Sequence, residues 1–223
     1  MCSKSTDNKT PYNAIVSKDG IENFNTTDRA ILVAPNHSVK PFFIKIKKGT
    51  YQEYIRVNKK KTNIFLIGEG MDTTIIKGSR SFVDDYKIYD TATIVEADLT
   101  AFYICQRNGY QDTLYVKRQH QFYREYEIYE TIVFICGGTA TLLKNCLIER
   151  DFEDIPTEIV LQNCTIKAIG DNVTMYLGRP WGIFSRTVIM KSYIGNLIDP
   201  RGWAKWIEST NKFVSRRPYY LEY

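Results

Sequence analysis

Residues 142–148 read LLKNCLI and residues 159–166 read IVLQNCTI. Each is a short apolar run broken by Asn-Cys, and laid over each other they bring Cys146 and Cys164 into register. The same shape returns in FYICQ (102–106), FYREYEI (122–128) and VIMKSYI (188–194), which adds Cys105, Tyr126 and Ser192 to the column. From Cys105 to Ser192 the successive steps are 21, 20, 18 and 28 residues. β-rich units returning about every 20 residues, with almost no amphipathic helical pattern between them, are too small to bury their own apolar side and must stack on their neighbours. A sandwich or barrel also has many short strands, but its hairpins need Asn-Gly or Asp-Gly turns. Each of those dipeptides occurs once here. The expected fold is therefore all-β, a single-stranded right-handed parallel β-helix. The stretch TTDRAILVAP (26–35) has the Thr/Asp start and apolar spacing of a short helix stopped by Pro35, placed to cap the N-terminal end of the solenoid. Polar loops such as IERDFEDIPTE (148–158) interrupt the later rungs, and in solenoids such insertions gather on a binding face.

At 223 residues the chain suits one domain, with residues 1–11 read as a disordered tail. Thirty Lys and Arg against 25 Asp and Glu leave a net charge of +5, which favours a polyanionic partner without requiring one. There is no apolar run of the roughly 20 residues a membrane span needs, so a soluble protein with no membrane partner is expected. No secretory signal is visible in the first 20 residues. Five cysteines without a CxxC, and only His37 and His120, argue against a structural zinc site. Asn-x-Ser/Thr sites begin at Asn8, Asn25, Asn36, Asn163 and Asn172 and matter only if the chain enters the secretory pathway.

Four stretches carry candidate chemistry. In GYQDTLYV (109–116), Gln111 and Asp112 sit among aromatic and aliphatic neighbours, where a carboxylate needs partners; a turn residue capping its own backbone is the competing reading. In YLGRPWG (176–182), Pro180 fixes the backbone between Arg179 and Trp181. A guanidinium that pairs with carboxylates beside a flat indole suits a charged sugar, and a buried tryptophan anchor is the plain alternative. The lysines of KIKKG (45–49) and NKKK (58–61) lack the interleaved aromatics of single-strand binders and read as a solvated face, so no nucleic-acid partner is expected. LIGEGMD has Gly68 and Gly70 but no third spaced glycine and no following helix, which leaves dinucleotide binding unsupported.

Taken in order, GTYQEYI (49–55), IGEGMDTTII (67–76), GYQDTLY (109–115), GTATLLKNC (138–146) and YLGRPW (176–181) resemble landmarks of the plant pectin methylesterases, from about residue 12 to the C-terminus. The resemblance implies an aspartyl esterase acting on methyl esters of homogalacturonan, an acidic cell-wall polysaccharide, with neither metal nor other cofactor, as a secreted monomer. By motif match Asp112 is the proton donor and general base, Gln111 an oxyanion donor, and Arg179 with Trp181 the substrate clamp. Two neighbouring carboxylates would push their pKa values apart, so that one stays ionised as nucleophile while the other holds a proton. The nucleophile belongs one rung on, where the family writes DFIFG. Here the chain reads Val133-Phe134-Ile135-Cys136-Gly137, and 133 − 112 is 21, the same as 126 − 105. Valine has no lone pair with which to attack.

Two further departures follow from the same resemblance. IYDTATIVEADLTAFY (88–103) runs straight on where the family inserts more than a rung, carrying NTAGP and QAVAL segments and another oxyanion glutamine. The family's cysteine partner for Cys105 is replaced by Tyr126. Among nearby acids, Glu130 should face away from position 133 by strand alternation, and Glu125 and Glu127 lie further back. The expectation is a pectinesterase-family protein of impaired activity; a non-catalytic pectin-binding protein, a degenerate gene product and a shortened gene model are the alternatives.

Overall fold

The computed structural model describes residues 11–80, 94–95, 99–109, 114–116, 120–130, 135–137, 141–150, 159–168, 176–177, 186–196, 198–203 and 219–223. Its elements, in chain order, begin with β1 (Ala14–Val16), α1 (Thr27–Leu32), β2 (Phe42–Ile46), β3 (Gly49–Gln52), β4 (Ile55–Arg56), β5 (Ile64–Ile67) and β6 (Thr74–Lys77). The middle of the chain contributes β7 (Ile94–Val95), β8 (Thr100–Asn108), β9 (Leu114–Val116), β10 (Gln121–Glu130) and β11 (Ile135–Gly137). The last are β12 (Thr141–Lys144), β13 (Leu147–Arg150), β14 (Ile159–Gln162), β15 (Thr165–Ala168), β16 (Arg186–Met190), β17 (Tyr193–Ile194) and β18 (Tyr219–Glu222). Fourteen of these strands join one bent sheet and four join a second, in the order β11-β9-β7-β4. The named strands pair in parallel, each with the strand one turn of the chain away. This is a parallel β-helix, as the recurring strand shapes predict.

The bent sheet has two arms, and a single left-handed residue makes the corner between them. Ile104, Glu125, Asn145, Asn163 and Lys191 have φ of 54°, 49°, 55°, 53° and 49° and fall at the same place in five successive rungs. A β-strand alternates its faces strictly, so one residue out of phase shifts the alternation by one. Before the corner, Phe102, Tyr123, Leu143, Leu161 and Ile189 point inward; after it, Cys105, Tyr126, Cys146 and Cys164 do. That corner is why the column anchored on Asn-Cys is in register: Tyr126 pairs Cys105, and Ser192 Oγ accepts the Cys164 N–H at 3.0 Å.

Beyond the corner, register places Tyr51, Ile76, Arg107, Ile128, Ile148, Ile166 and Ile194 in one column. Ile76, Ile128 and Ile166 of this column are buried, and stacked β-branched side chains have little rotamer freedom to lose. In the first arm, Thr100, Gln121, Thr141 and Thr187 are buried in one column that Ile159 interrupts.

The early rungs meet the middle ones without an intervening strand. Ile64 pairs Thr100 and Ile75 pairs Gln106, so the rung that contains β5 and β6 stacks directly on β8. Gly68 makes the junction possible, because a Cβ there would lie 2.1 Å from the Ile104 carbonyl oxygen and 2.7 Å from Cys105 Sγ. The glycine of LIGEG thus serves close rung stacking.

Helix α1 closes the N-terminal end. Thr26 is its N-cap in extended conformation and Val33 ends it, two residues before Pro35, so the helix is shorter than the 26–35 stretch that signalled it. The Glu53 carboxylate accepts the Thr27 and Asp28 N–H groups at 2.9 and 3.3 Å, and Lys61 Nζ donates to the Leu32 and Ala34 carbonyls at the other end. Both satisfy orphan groups of the helix with the charge its dipole favours. Of the expected solvated face, Lys45 pairs Glu69 at 2.9 Å and Lys47 pairs Glu22, while Lys48, Lys59 and Lys60 are exposed. Of the tail expected over 1–11, residues 1–10 lie outside the described residues.

Candidate functional site

Gln111, Asp112, Val133, Arg179 and Trp181 all lie outside the described residues. What is described is the adjoining scaffold, on three stretches of chain. On the first, the ladder between β8 and β10 runs up to the motif: Asn108 pairs Tyr129, and the Gly109 N–H donates to the Tyr129 carbonyl at 3.1 Å. On the second, β9 and β11 pair in parallel, with Leu114 opposite Ile135 and Val116 opposite Gly137. That offset is 21 residues, and Asp112 and Val133 each precede the Leu114–Ile135 pair by two positions. On the third, Leu177, the first apolar residue of LGRPW, is buried and donates its N–H to the Gly202 carbonyl at 2.7 Å. Gly202 has a φ of 68°, a conformation that favours glycine.

Sequence reasoning missed the group around that third anchor. Arg201 lies 5.0 Å from the centre of the Tyr176 ring and is bonded twice to Asp199, at 2.8 and 3.0 Å. The hydrogen bond from Arg201 draws the Asp199 carboxyl down to about 2 and holds the aspartate ionised. Trp203 donates its indole N–H to Glu222 at 2.7 Å and packs against the end of the core. No spacing rule links residues 176, 201 and 222 in the sequence, since the solenoid joins them only by its turns.

Of the acids weighed as stand-ins for a nucleophile, two have described side chains with partners elsewhere. Glu125 sits on the corner and pairs with Arg124 at 3.3 Å, and Glu127 accepts from the Tyr129 hydroxyl at 3.2 Å. Of Glu130, the backbone pairs with Arg150.

Arg107 also went unnoticed, five residues before Asp112. It is fully buried, with its guanidinium 5.2, 5.3 and 5.9 Å from the ring centres of Phe102, Tyr126 and Tyr123. Phe102 and Tyr123 stack at 5.5 Å, and Tyr126 meets both edge-on at 5.7 and 5.5 Å. The electron-rich ring faces return part of the solvation that a buried cation loses. Tyr126, which stands where the resemblance puts a cysteine, therefore forms a wall of this cage. Cys105 beneath it is a buried thiol whose pKa burial pushes up to about 12, so it stays protonated and unreactive. Among the described residues no cluster of His, Cys, Asp and Glu is placed to hold a metal, and no helix is long and apolar enough to cross a membrane.

Comparison with known proteins agrees with the quoted motifs. The pectinesterase family model matches residues 13–96 and 93–223. An Arabidopsis thaliana protein named "Probable pectinesterase 56" is 35% identical over 85% of this chain and 83% of its own length. A Prunus persica pectinesterase/pectinesterase inhibitor is 36% identical over 94% of this chain but only 50% of its own length. The chain thus spans about half the length of the first curated relatives it matches. Among solved structures, pectin methylesterase from carrot superimposes with a TM-score of 0.79 at 32% identity, over 98% of this chain and 83% of that one.

Proposed function

Because the chain belongs to the pectinesterase family, we propose that residues 1–223 form a single β-helix domain that binds cell-wall homogalacturonan, with its esterase chemistry impaired at Val133. In the intact reaction, a carboxylate attacks the methyl-ester carbonyl and methanol leaves with a proton from the neighbouring acid. Water then cleaves the acyl-enzyme, activated by that same group. Asp112 retains the acid/base role and Gln111 the oxyanion donor, while Arg179 pairs with a galacturonate carboxylate and Trp181 offers its face to the sugar ring. No cofactor enters, and the site of action is the extracellular wall.

The observation that carries the reading is the 21-residue register of Leu114 with Ile135. Asp112 and Val133 are separated by the same 21 residues, which supports reading them as neighbours on adjacent rungs. A valine there can neither attack nor raise the pKa of its neighbour by like charge, so Asp112 is left to assist a water, a far weaker nucleophile. The direct stacking of β5 and β6 on β8 supports the loss of the extra rung, and with it a second oxyanion donor of the kind worth about 10²–10³ in rate.

A methanol-release assay on methylated pectin, with wild type beside Val133→Asp, tests this. The expected result is no enzyme-like turnover from wild type and a measurable gain in the variant; turnover by the wild type would overturn the proposal. The anchored LGRPW segment favours a second reading, a pectin-binding protein without catalysis. Galacturonan affinity that falls on Trp181→Ala would support it, and the absence of any binding would count against both readings.

A further inference from the structure

The capped N-terminal end of the solenoid carries a feature that the proposed reaction does not use. An open cleft of about 530 Å³ is lined by Gly20, Glu22, Phe24, Asn25, Arg29, Leu32 and Val33, among others. That volume falls in the range of about 300–1,000 Å³ typical of small-molecule sites. Three aliphatic side chains stand exposed at or beside it: Ile21 is 81% exposed, Leu32 61% and Val33 55%. Helix α1 explains this, since it turns Thr27, Ala30 and Ile31 onto the rung below and leaves Leu32 and Val33 outward. Exposed aliphatic side chains in a cleft offer a ligand apolar contact.

The sequence around the cleft names the chemistry of that ligand. Asn25 is exposed, lines the cleft and begins Asn25-Thr26-Thr27, an acceptor triplet for N-linked sugar. Its Oδ1 accepts from Arg29 Nη1 at 3.4 Å. Asn163, which also begins such a triplet, is used differently: its Nδ2 donates to Asn145 Oδ1 at 3.0 Å along the corner column, and Cys164 after it is buried in the core. Asn36 is exposed on the loop that bridges to Lys61, and it does not line the cleft.

We propose that Asn25 is an N-glycosylation site and that the first N-acetylglucosamine of the glycan seats in the cleft, covering Leu32 and Val33. In the transfer, Asn25 Nδ2 bonds to C1 of the sugar carried on a lipid pyrophosphate. The C1–O bond breaks, the lipid pyrophosphate leaves, and the amide loses one proton to the transferring enzyme. An acetamidohexose matches the cleft, with apolar ring C–H groups for Leu32 and Val33 and polar groups for Glu22, Asn23 and Arg29. This inference rests on the reading that the protein works outside the cell.

The test secretes the full chain from a eukaryotic host behind a heterologous leader, so the outcome does not depend on how the chain itself reaches the wall. Peptide mapping after enzymatic release of N-glycans in heavy-oxygen water should find Asn25 converted to labelled aspartate, and Asn25→Gln should lose that signal and one glycan's mass. An unmodified Asn25 in the secreted protein overturns the proposal. Trimming to a single N-acetylglucosamine should leave Tm unchanged, whereas complete removal should lower Tm and raise aggregation. Equal Tm and aggregation for the trimmed and fully stripped forms would overturn the seating of the sugar in the cleft.

Discussion

The rungs over 141–194 and those over 100–130 use the same slots for different residues. In the later rungs, the left-handed corner falls on Asn145, Asn163 and Lys191, the two asparagine side chains bond to each other at 3.0 Å, and the column beyond is isoleucine. In the middle rungs, the corner falls on Ile104 and Glu125, and Arg107 interrupts the isoleucine column. Asparagine tolerates the left-handed region through local hydrogen bonds, whereas a β-branched residue there carries strain of about 1–2 kcal/mol. The irregular rungs are those that run into GYQD and TIVF. The departures in the middle rungs thus precede the two candidate catalytic motifs directly, and local rules are most often broken beside functional sites.

Transplanting the buried cation is the strongest way to break this contrast. Ile166 occupies the slot of Arg107 two rungs past Ile128, between Ile148 and Ile194 in register, and is 2% exposed. Ile166→Arg should cost about 4–5 kcal/mol, because a charge enters the core without the three-ring cage. Chemical denaturation that shows a loss below about 1 kcal/mol would mean that the cage is not what makes Arg107 tolerable. Next in size is the junction between the early and middle rungs. Gly68→Ala should destabilise by about 3 kcal/mol or more, since the added carbon meets a backbone oxygen that cannot rotate aside. A neutral effect on the urea midpoint would show that the rungs separate more easily than their register implies.

The corner offers the smallest and most discriminating test. Ile104→Asn should raise stability by about 1 kcal/mol and Asn145→Ile should lower it by about as much, read as opposite shifts in Tm. Shifts of the same sign would remove the claim that these two corners differ by backbone strain.

Much of the architecture was legible because a solenoid writes its register into the sequence as spacing. The column of Cys105, Tyr126, Cys146, Cys164 and Ser192 is reproduced in the paired strands, and so is the cap signalled by TTDRAILVAP. Arg107 escaped because simple alternation from Phe102 puts residues 104 and 106 inside, and the corner at Ile104 moves the inward face to 105 and 107. The Tyr176–Arg201–Asp199 group escaped for another reason: its members approach across turns of different length, which no fixed period encodes. At the candidate site, motif and spacing name Gln111, Asp112, Val133, Arg179 and Trp181, and the described scaffold supplies the anchors at Gly109, Leu114, Ile135 and Leu177.

By itself the sequence determined the repeat, the parallel stacking it forces and the family, because apolar periodicity and short motifs are local properties that survive in one dimension. Tertiary structure decided which residues face inward past each corner, that the early rungs close directly on the middle ones over Gly68, and that a cation lies caged in the core. It also decided that Asn25 opens on a cleft lined by both apolar and polar side chains. Each of these depends on residues that meet only when the turns are stacked, so their physical cause, close approach or its absence, is not present in the chain until it is wound.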